Sequence, residues 1–184
     1  VKYWVNSINK SGFKGDIVLC AGTITNPTLE ILVNEGVKVS VYGKRNEEGN
    51  FVSQGGVAPH VERFFYIYNF LRTAAEDYGI VIATDVRDVV FQYNPTQWME
   101  DNFIFGRRNL IVPSEGLKYK DEVWNSNNLN QALGPFFHKV FEDMEICNVG
   151  IIAGENRYVR DLMLMLFQLS INRPIPVVDQ VMFN

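Results

Sequence analysis

Three short apolar runs, DIVLCAG, VKVSVYG and IVIATD, alternate with segments of helical spacing, and this alternation constrains the fold more than any other feature of the chain. The opening VKYWVNSINKSG carries apolar residues at Tyr3, Trp4 and Ile8, and Gly12 is a good stop. Thr25, Asn26 and Pro27 start a second helix through TLEILVNEG. A third is expected from about Pro59 to Tyr78. Between the second strand and the third helix, KRNEEGNFVSQGG reads as a polar surface loop. The order helix, strand, helix, strand, helix, strand predicts an α/β fold with a mostly parallel central sheet and helices on both faces.

Ligands of such sheets bind at the carboxyl ends of the strands. That rule points to Thr84, Asp85, Val86, Arg87 and Asp88, directly after IVIA. Asp85 and Asp88 are three apart, and on a continuing strand they would point to opposite faces. If both serve one ligand, the chain must turn after Ala83. Two carboxylates on a turn suit Mg²⁺ or Mn²⁺, which keep waters and share substrate phosphates. The alternative is that Asp85 caps a turn and Asp88 pairs with Arg87 or Arg63. Other chemistries lack their patterns. Arg87 stands where a phospho-aspartyl phosphatase needs its second Asp, and CAGTIT fits neither the Walker loop nor G-x-G-x-x-G. No G-x-S-x-G occurs, and His60 and His138 have no zinc-ligand spacing.

The second half is less regular. NLIVPSEG reads as a strand ending in a polar loop, and KYKDEVWNSNNLNQALGP has no clear period. ICNVGIIAG is strand-like, RYVRDLMLMLFQLS is a buried core helix, and PIPVVDQVMFN closes the sequence. No repeat or linker divides the chain, so a single domain over 1–184 is expected, truncated at both ends. Lys+Arg 17 against Asp+Glu 21 leaves a charge of −4 without a basic stripe, which excludes a nucleic-acid partner. The longest strictly apolar run, Leu162 to Phe167, is far short of the ~20 residues of a membrane span. Cys20 and Cys147 sit in apolar stretches as buried free thiols, which points to a reducing, cytoplasmic setting.

The run YGIVIATDVRDVVFQYNP resembles the metal-binding region of GT-A type nucleotide-diphospho-sugar glycosyltransferases, whose hallmark is D-x-D or D-x-x-D after a central strand. Arg63, Pro113-Ser114-Glu115-Gly116, Asn148-Val149-Gly150 with Gly154, and Asp179-Gln180 follow in the family's order. The resemblance extends to glycosyltransferase domains of large DNA viruses of algae, the chlorella viruses. It covers about Asp16 to Asn184. It implies a Rossmann-like GT-A fold and transfer of a sugar from a nucleotide diphosphate donor, a UDP-sugar, to a hydroxyl of a carbohydrate or glycan acceptor. It also implies the cytoplasm of a host cell. Mn²⁺ or Mg²⁺ is the implied cofactor, with Asp88 as direct ligand and Asp85 on the metal or the ribose.

Arg63 is assigned to the diphosphate, and Thr84, Asn148, Gly150 and Gln180 to the donor. Asp179, a carboxylate beside apolar residues, is assigned to the donor sugar or catalysis, and Glu115 to sugar hydroxyls or a base. Without a strong base, a retaining front-face path is natural, the leaving phosphate taking the acceptor proton. Tyr119, Trp124 and NSNNLN offer aromatic faces and amides for an acceptor, or a packed surface loop. A nucleotidyltransferase of the same fold, or a sugar- or nucleotide-binding module without turnover, are the alternative functions.

Overall fold

Prolines and short polar residues set where the helices of this chain begin, and a computed structural model describes residues 1–74, 78–102, 110–175 and 177–184. In chain order the elements are α1 (Lys2–Lys10), β1 (Val18–Ala21), α2 (Asn26–Asn34), β2 (Lys38–Val41), β3 (Lys44–Arg45), β4 (Phe51–Val52), α3 (Pro59–Thr73) and β5 (Ile80–Thr84). They continue as α4 (Pro95–Asn102), β6 (Leu110–Ile111), β7 (Ser114–Lys118), α5 (Val123–Phe141), β8 (Glu145–Cys147), β9 (Ile151–Glu155), α6 (Asn156–Ser170) and α7 (Asp179–Phe183). Residues 75–77 of the expected third helix, Asn109 before β6 and Pro176 in the last segment lie outside the described residues. The chain packs as two compact units, one of Val1–Gln54 with Ala83–Asn109, the other of Gly55–Ile82 with Leu110–Asn184.

In the first unit, β1 and β2 pair in parallel with Cys20 opposite Ser40. Trp4, Val5 and Ile8 of α1 join Ala21, Ile24, Leu32 and Val37 in its core. Burial pushes the Cys20 thiol up to about 12, so it stays protonated and inert. Cys20 and Cys147 are both free, as expected. Two side chains of α1 hold the end of β5 and the segment after it. The Trp4 indole N–H donates to Thr84 Oγ1 at 2.8 Å, and Ser7 Oγ accepts from the Phe91 amide at 3.0 Å. The stretch read as a loop is partly a hairpin. β3 and β4 pair antiparallel, Arg45 opposite Phe51, with the guanidinium 5.0 Å above the ring. Only Phe51 and Val52 are apolar in that stretch, so it carries no period a sequence reading could detect.

In the second unit, α6 buries Val159, Met163 and Leu166, spaced by four and three residues, and packs along α3. Ile152 and Ala153 of β9 are buried, and β9 lies between β5 and β6. The ladders β6–β9 and β7–β8 are both antiparallel. The expectation of a mostly parallel central sheet is therefore corrected to a mixed α/β fold of small sheets: β1–β2 is parallel, whereas β3–β4, β6–β9 and β7–β8 are antiparallel. β6 and β7 pair with β9 and β8 in reverse order, so the chain that comes back after α5 runs against the chain that enters it.

The periodless stretch is also corrected. Most of it is α5, begun by Glu122, whose carboxylate accepts from the Trp124 and Asn125 amides at 3.1 and 2.6 Å. Gly134, at φ 84° and ψ 171°, and Pro135 break the helix. A straight helix would set Ser126 and His138 about 18 Å apart at ~1.5 Å per residue. Their side chains instead meet, Ser126 Oγ to His138 Nε2 at 2.6 Å, so the second half folds back on the first. The part of α5 inside that stretch, before Gly134, buries only Asn125 and Leu129, too little apolar surface to show a period.

The backbone hydrogen bond to Asn125 holds the Glu122 carboxyl below its ordinary value. The folded state therefore binds this proton more weakly than the unfolded chain. The cap's contribution is present above the unfolded pKa and is lost as pH falls through the folded one. Glu122→Ala is expected to cost about 1 kcal/mol at neutral pH and progressively less under acid, read from urea unfolding at a series of pH values.

Candidate functional site

Five segments of the second unit bring polar side chains into one network. Arg63 stands in the first turns of α3, where Pro59 starts the helix. Its Nε donates to the His60 carbonyl at 3.0 Å, and Nη2 donates to Asp179 Oδ2 at 2.9 Å. The guanidinium also lies 5.0 Å from the Phe64 ring centroid, so it is held on three sides. Asp179 opens α7 and is buried, its side chain 9% exposed against 23% for Arg63. A pair so placed gains from weak solvent screening.

Gln180, the next residue, is buried and uses both amide protons. It donates to Glu115 Oε1 at 2.9 Å and to Asn125 Oδ1 at 2.9 Å. Asn148 Nδ2 donates to the same Glu115 oxygen at 3.0 Å, while Asn148 Oδ1 accepts from the Gly150 amide at 2.7 Å. The placement of Asn148 follows from a break in the ladders. Leu110 pairs with Gly154 and Ile111 with Ala153, the Asn148 amide donates to the Pro113 carbonyl at 2.8 Å, and Ser114 pairs with Cys147. The register shifts between Ile111 and Ser114, and the residues Asn148–Gly150 form the irregular stretch that turns the Asn148 amide onto Glu115. ICNVGIIAG is accordingly two strands rather than one, and Glu115 lies within β7 rather than in a loop.

Of the residues singled out in the sequence, Glu115, Asn148, Gly150 and Gln180 are thus joined by hydrogen bonds, and the Arg63–Asp179 pair adjoins them through the peptide link from Asp179 to Gln180. Asn125 was not singled out, although it lies within NSNNLN. The available signal was Glu122 three residues earlier, an acidic cap that starts a helix and puts Asn125 in its first turn. Glu115 Oε2 carries no hydrogen bond among the described residues and can accept one from a ligand hydroxyl.

Glu62, beside Arg63, is buried and faces elsewhere. Its carboxylate accepts from the Tyr66 hydroxyl at 2.9 Å, and a Cβ on Gly55 would lie 1.5 Å from its Oε1. It serves to seat the chain entering α3.

Thr84, Asp85 and Asp88 belong to the first unit. β5 runs on through Thr84, so the turn comes later than expected: the bend covers Val86 to Asp88. The Thr84 hydroxyl accepts from Trp4 and retains its own proton for donation. Asp85 is half-buried and has an interaction partner, whereas Asp88 is exposed and makes no ion pair among the described residues. The pairing of Asp88 with Arg63 or Arg87 is not found, Arg63 being engaged by Asp179. Among the described residues no group of three or more His, Cys, Asp or Glu side chains is arranged to hold a metal. No described helix is long and apolar enough to cross a membrane.

Comparison with protein-family models, with curated proteins and with solved structures finds no match.

Proposed function

We propose that this chain is a metal-dependent glycosyltransferase of the Rossmann-like GT-A kind, acting in the cytoplasm and moving a sugar from a UDP-sugar to a hydroxyl of a carbohydrate or glycan. The observation that supports this most is that Arg63, Glu115 and Asn148, distant in sequence, all meet the adjacent Asp179 and Gln180 through part-buried hydrogen bonds or, for Asn148, through the shared Glu115 oxygen. A carboxylate, an acid–guanidinium pair and two amides are suited to the hydroxyls of a pyranose.

In this reading Arg63 fixes the orientation of Asp179, and Gln180 and Asn148 fix Glu115 with Oε2 left to accept from a sugar hydroxyl. Preorganised groups of this kind lower the cost of orienting a donor sugar. Asp85 and Asp88 are assigned to Mn²⁺ or Mg²⁺. Two hard oxygen donors, one just before the bend and one within it, would suit a cation that keeps waters and shares a diphosphate. When bound, the ion supplies neutralisation of the charge on the leaving diphosphate. Transfer proceeds with retention, the leaving phosphate accepting the acceptor's proton.

Incubation with UDP-sugars and Mn²⁺, with free UDP quantified, tests the reading, and UDP release is expected. Pyrophosphate released from a nucleoside triphosphate would instead indicate nucleotidyl transfer, and binding without product a module without turnover. NMR of the product's anomeric centre checks retention; an inverted product rules out the front-face path.

Asp88→Asn gives a separate test. An exposed side chain that makes no ion pair among the described residues can be exchanged at a cost within about 0.5 kcal/mol, so the unliganded melting temperature should hold. The further stabilisation that UDP gives only with Mn²⁺ should vanish. An undiminished thermal shift in the variant removes Asp88 from the metal site.

A further inference from the structure

Both backbone hydrogen-bonding groups of Cys147 in β8 are met by one side chain. The Cys147 amide donates to Asn184 Oδ1 at 2.7 Å, and Asn184 Nδ2 donates to the Cys147 carbonyl at 2.9 Å. A neighbouring strand would give the same two-point pairing, and an asparagine amide can replace it because it carries the donor and acceptor of a peptide. The Nδ2 group has a second proton. It goes to the Gln180 carbonyl at 2.7 Å, which also receives the Asn184 backbone amide at 3.3 Å. One side chain therefore clasps β8 to α7.

Each of the two backbones so joined carries one of the amides that hold Glu115. Asn148 follows Cys147 and donates to Glu115 Oε1 at 3.0 Å, and the Gln180 side chain donates to the same oxygen at 2.9 Å. The bonds close a ring through Glu115, Gln180, Asn184, Cys147 and Asn148. Two donors can share one oxygen only if their spacing is held closely, since such bonds weaken beyond ~3.2 Å. α7 is five residues long, and so short a helix does not hold itself in place. Its position against β8 is set by the groups it binds across the fold. Asn184 is exposed and bonds to backbone groups, so its action on the site runs through them.

We infer that Asn184 is a positioning residue of the candidate site: by clasping the Cys147 backbone to the Gln180 carbonyl it fixes the spacing at which Asn148 and Gln180 share one oxygen of Glu115, and so directs the other oxygen to a substrate hydroxyl. That Asn184 sets Glu115 does not depend on the reaction. That the substrate is a UDP-sugar rests on the function proposed above.

The side-chain amide signals of ¹⁵N-labelled protein report the ring directly. In Asn184→Ala the Asn148 and Gln180 signals should both shift, and their protons should exchange about fivefold faster, the change expected for one net hydrogen bond. Asn184→Asp keeps an acceptor for the Cys147 amide but sets an oxygen against two carbonyls, and it should move the same signals. Val159→Ala, in the core of α6, should lower stability by more than Asn184→Ala while leaving both signals in place. Signals unmoved in both Asn184 variants overturn the inference, as does equal displacement by Val159→Ala.

Binding of UDP and of UDP-glucose, each with Mn²⁺, connects the clasp to the reaction. Asn184→Ala should bind UDP as the parent does and UDP-glucose about fivefold more weakly, because only the sugar reaches Glu115. Displaced signals in Asn184→Ala, with no UDP-sugar bound or turned over by the parent, retire the glycosyltransferase reading while the positioning role stands. Release of UDP from UDP-glucose by the parent, with signals that neither Asn184 variant moves, does the reverse.

Discussion

Asp179→Ala is expected to destabilise the second unit by about 3 kcal/mol, roughly a hundredfold in the folding equilibrium. The substitution leaves the Arg63 guanidinium, 23% exposed, without its carboxylate. Breaking a buried pair from one side typically costs ~3–5 kcal/mol, and the residual solvent access of Arg63 sets the lower end here. Arg63→Met should cost at least as much, because the side chain it strands is the more buried one. The cost in each case comes from the charge left behind, so removing both charges relieves it. Arg63→Met with Asp179→Leu should therefore be less destabilised than either single replacement. Urea unfolding of the four proteins gives the coupling directly. Additive single effects, with the double variant the least stable, would show that the pair contributes nothing beyond the packing of its two side chains.

The elements that were legible in the sequence are those whose local signals agree with their packing. Pro27 and Pro59 each stand in the first turn of a helix, where a missing amide proton costs nothing. β1, β2 and β5 were bounded by glycine or polar residues and carried the apolar runs expected of buried strands. What could not be read was decided by contacts distant in sequence. β3 and β4 are two residues each and exist through the pairing of Arg45 with Phe51 and the bridge from Ile24 to Phe51. The direction of strand pairing in the second half depended on how β8 and β9 come back past β7 and β6 after α5, and no local residue records that. α5 was hidden because its length before Gly134 buries one asparagine and one leucine, Asn125 and Leu129, and shows no apolar stripe.

The network was legible in a different way. Asp179 was conspicuous because a carboxylate between Val178 and Gln180 in an apolar run needs a partner, and the partner is Arg63. Glu115 was marked by its place beside Gly116 and Asn148 by the resemblance, and the ladder irregularity that joins them uses the short Asn148–Gly150 stretch. Asn125 is one of several similar asparagines, and only the fold distinguishes it from Asn127 or Asn128. Composition in NSNNLN marked the region and not the residue.

Gly43→Ala is expected to be the most damaging exchange of a single hydrogen for a methyl group in the first unit, costing about 3 kcal/mol. Gly43 lies between β2 and β3, and a Cβ built there would stand 2.1 Å from the Gly22 carbonyl oxygen and 2.8 Å from both the carbonyl carbon and oxygen of Val52. Its φ is an ordinary one, so the requirement is space and not conformation. All three obstructing atoms are backbone and cannot rotate away as a side chain could. The methyl group must push apart the chain leaving β1 and the chain in β4. β4 is held by a two-residue ladder and by the backbone bonds between Ile24 and Phe51, so the hairpin has little to resist displacement. Gly56→Ala supplies the contrast, since a Cβ there meets nothing within 4 Å. It should be neutral to within about 0.5 kcal/mol or mildly stabilising through the loss of unfolded-state freedom. Urea unfolding followed by Trp4 fluorescence, with hydrogen exchange over residues 38–52, measures both. A Gly43→Ala protein with the parent's midpoint and unchanged protection in β3 and β4 would mean that the chain passes Gly22 and Val52 with room to spare, and the hairpin would have to be held by something other than this close approach.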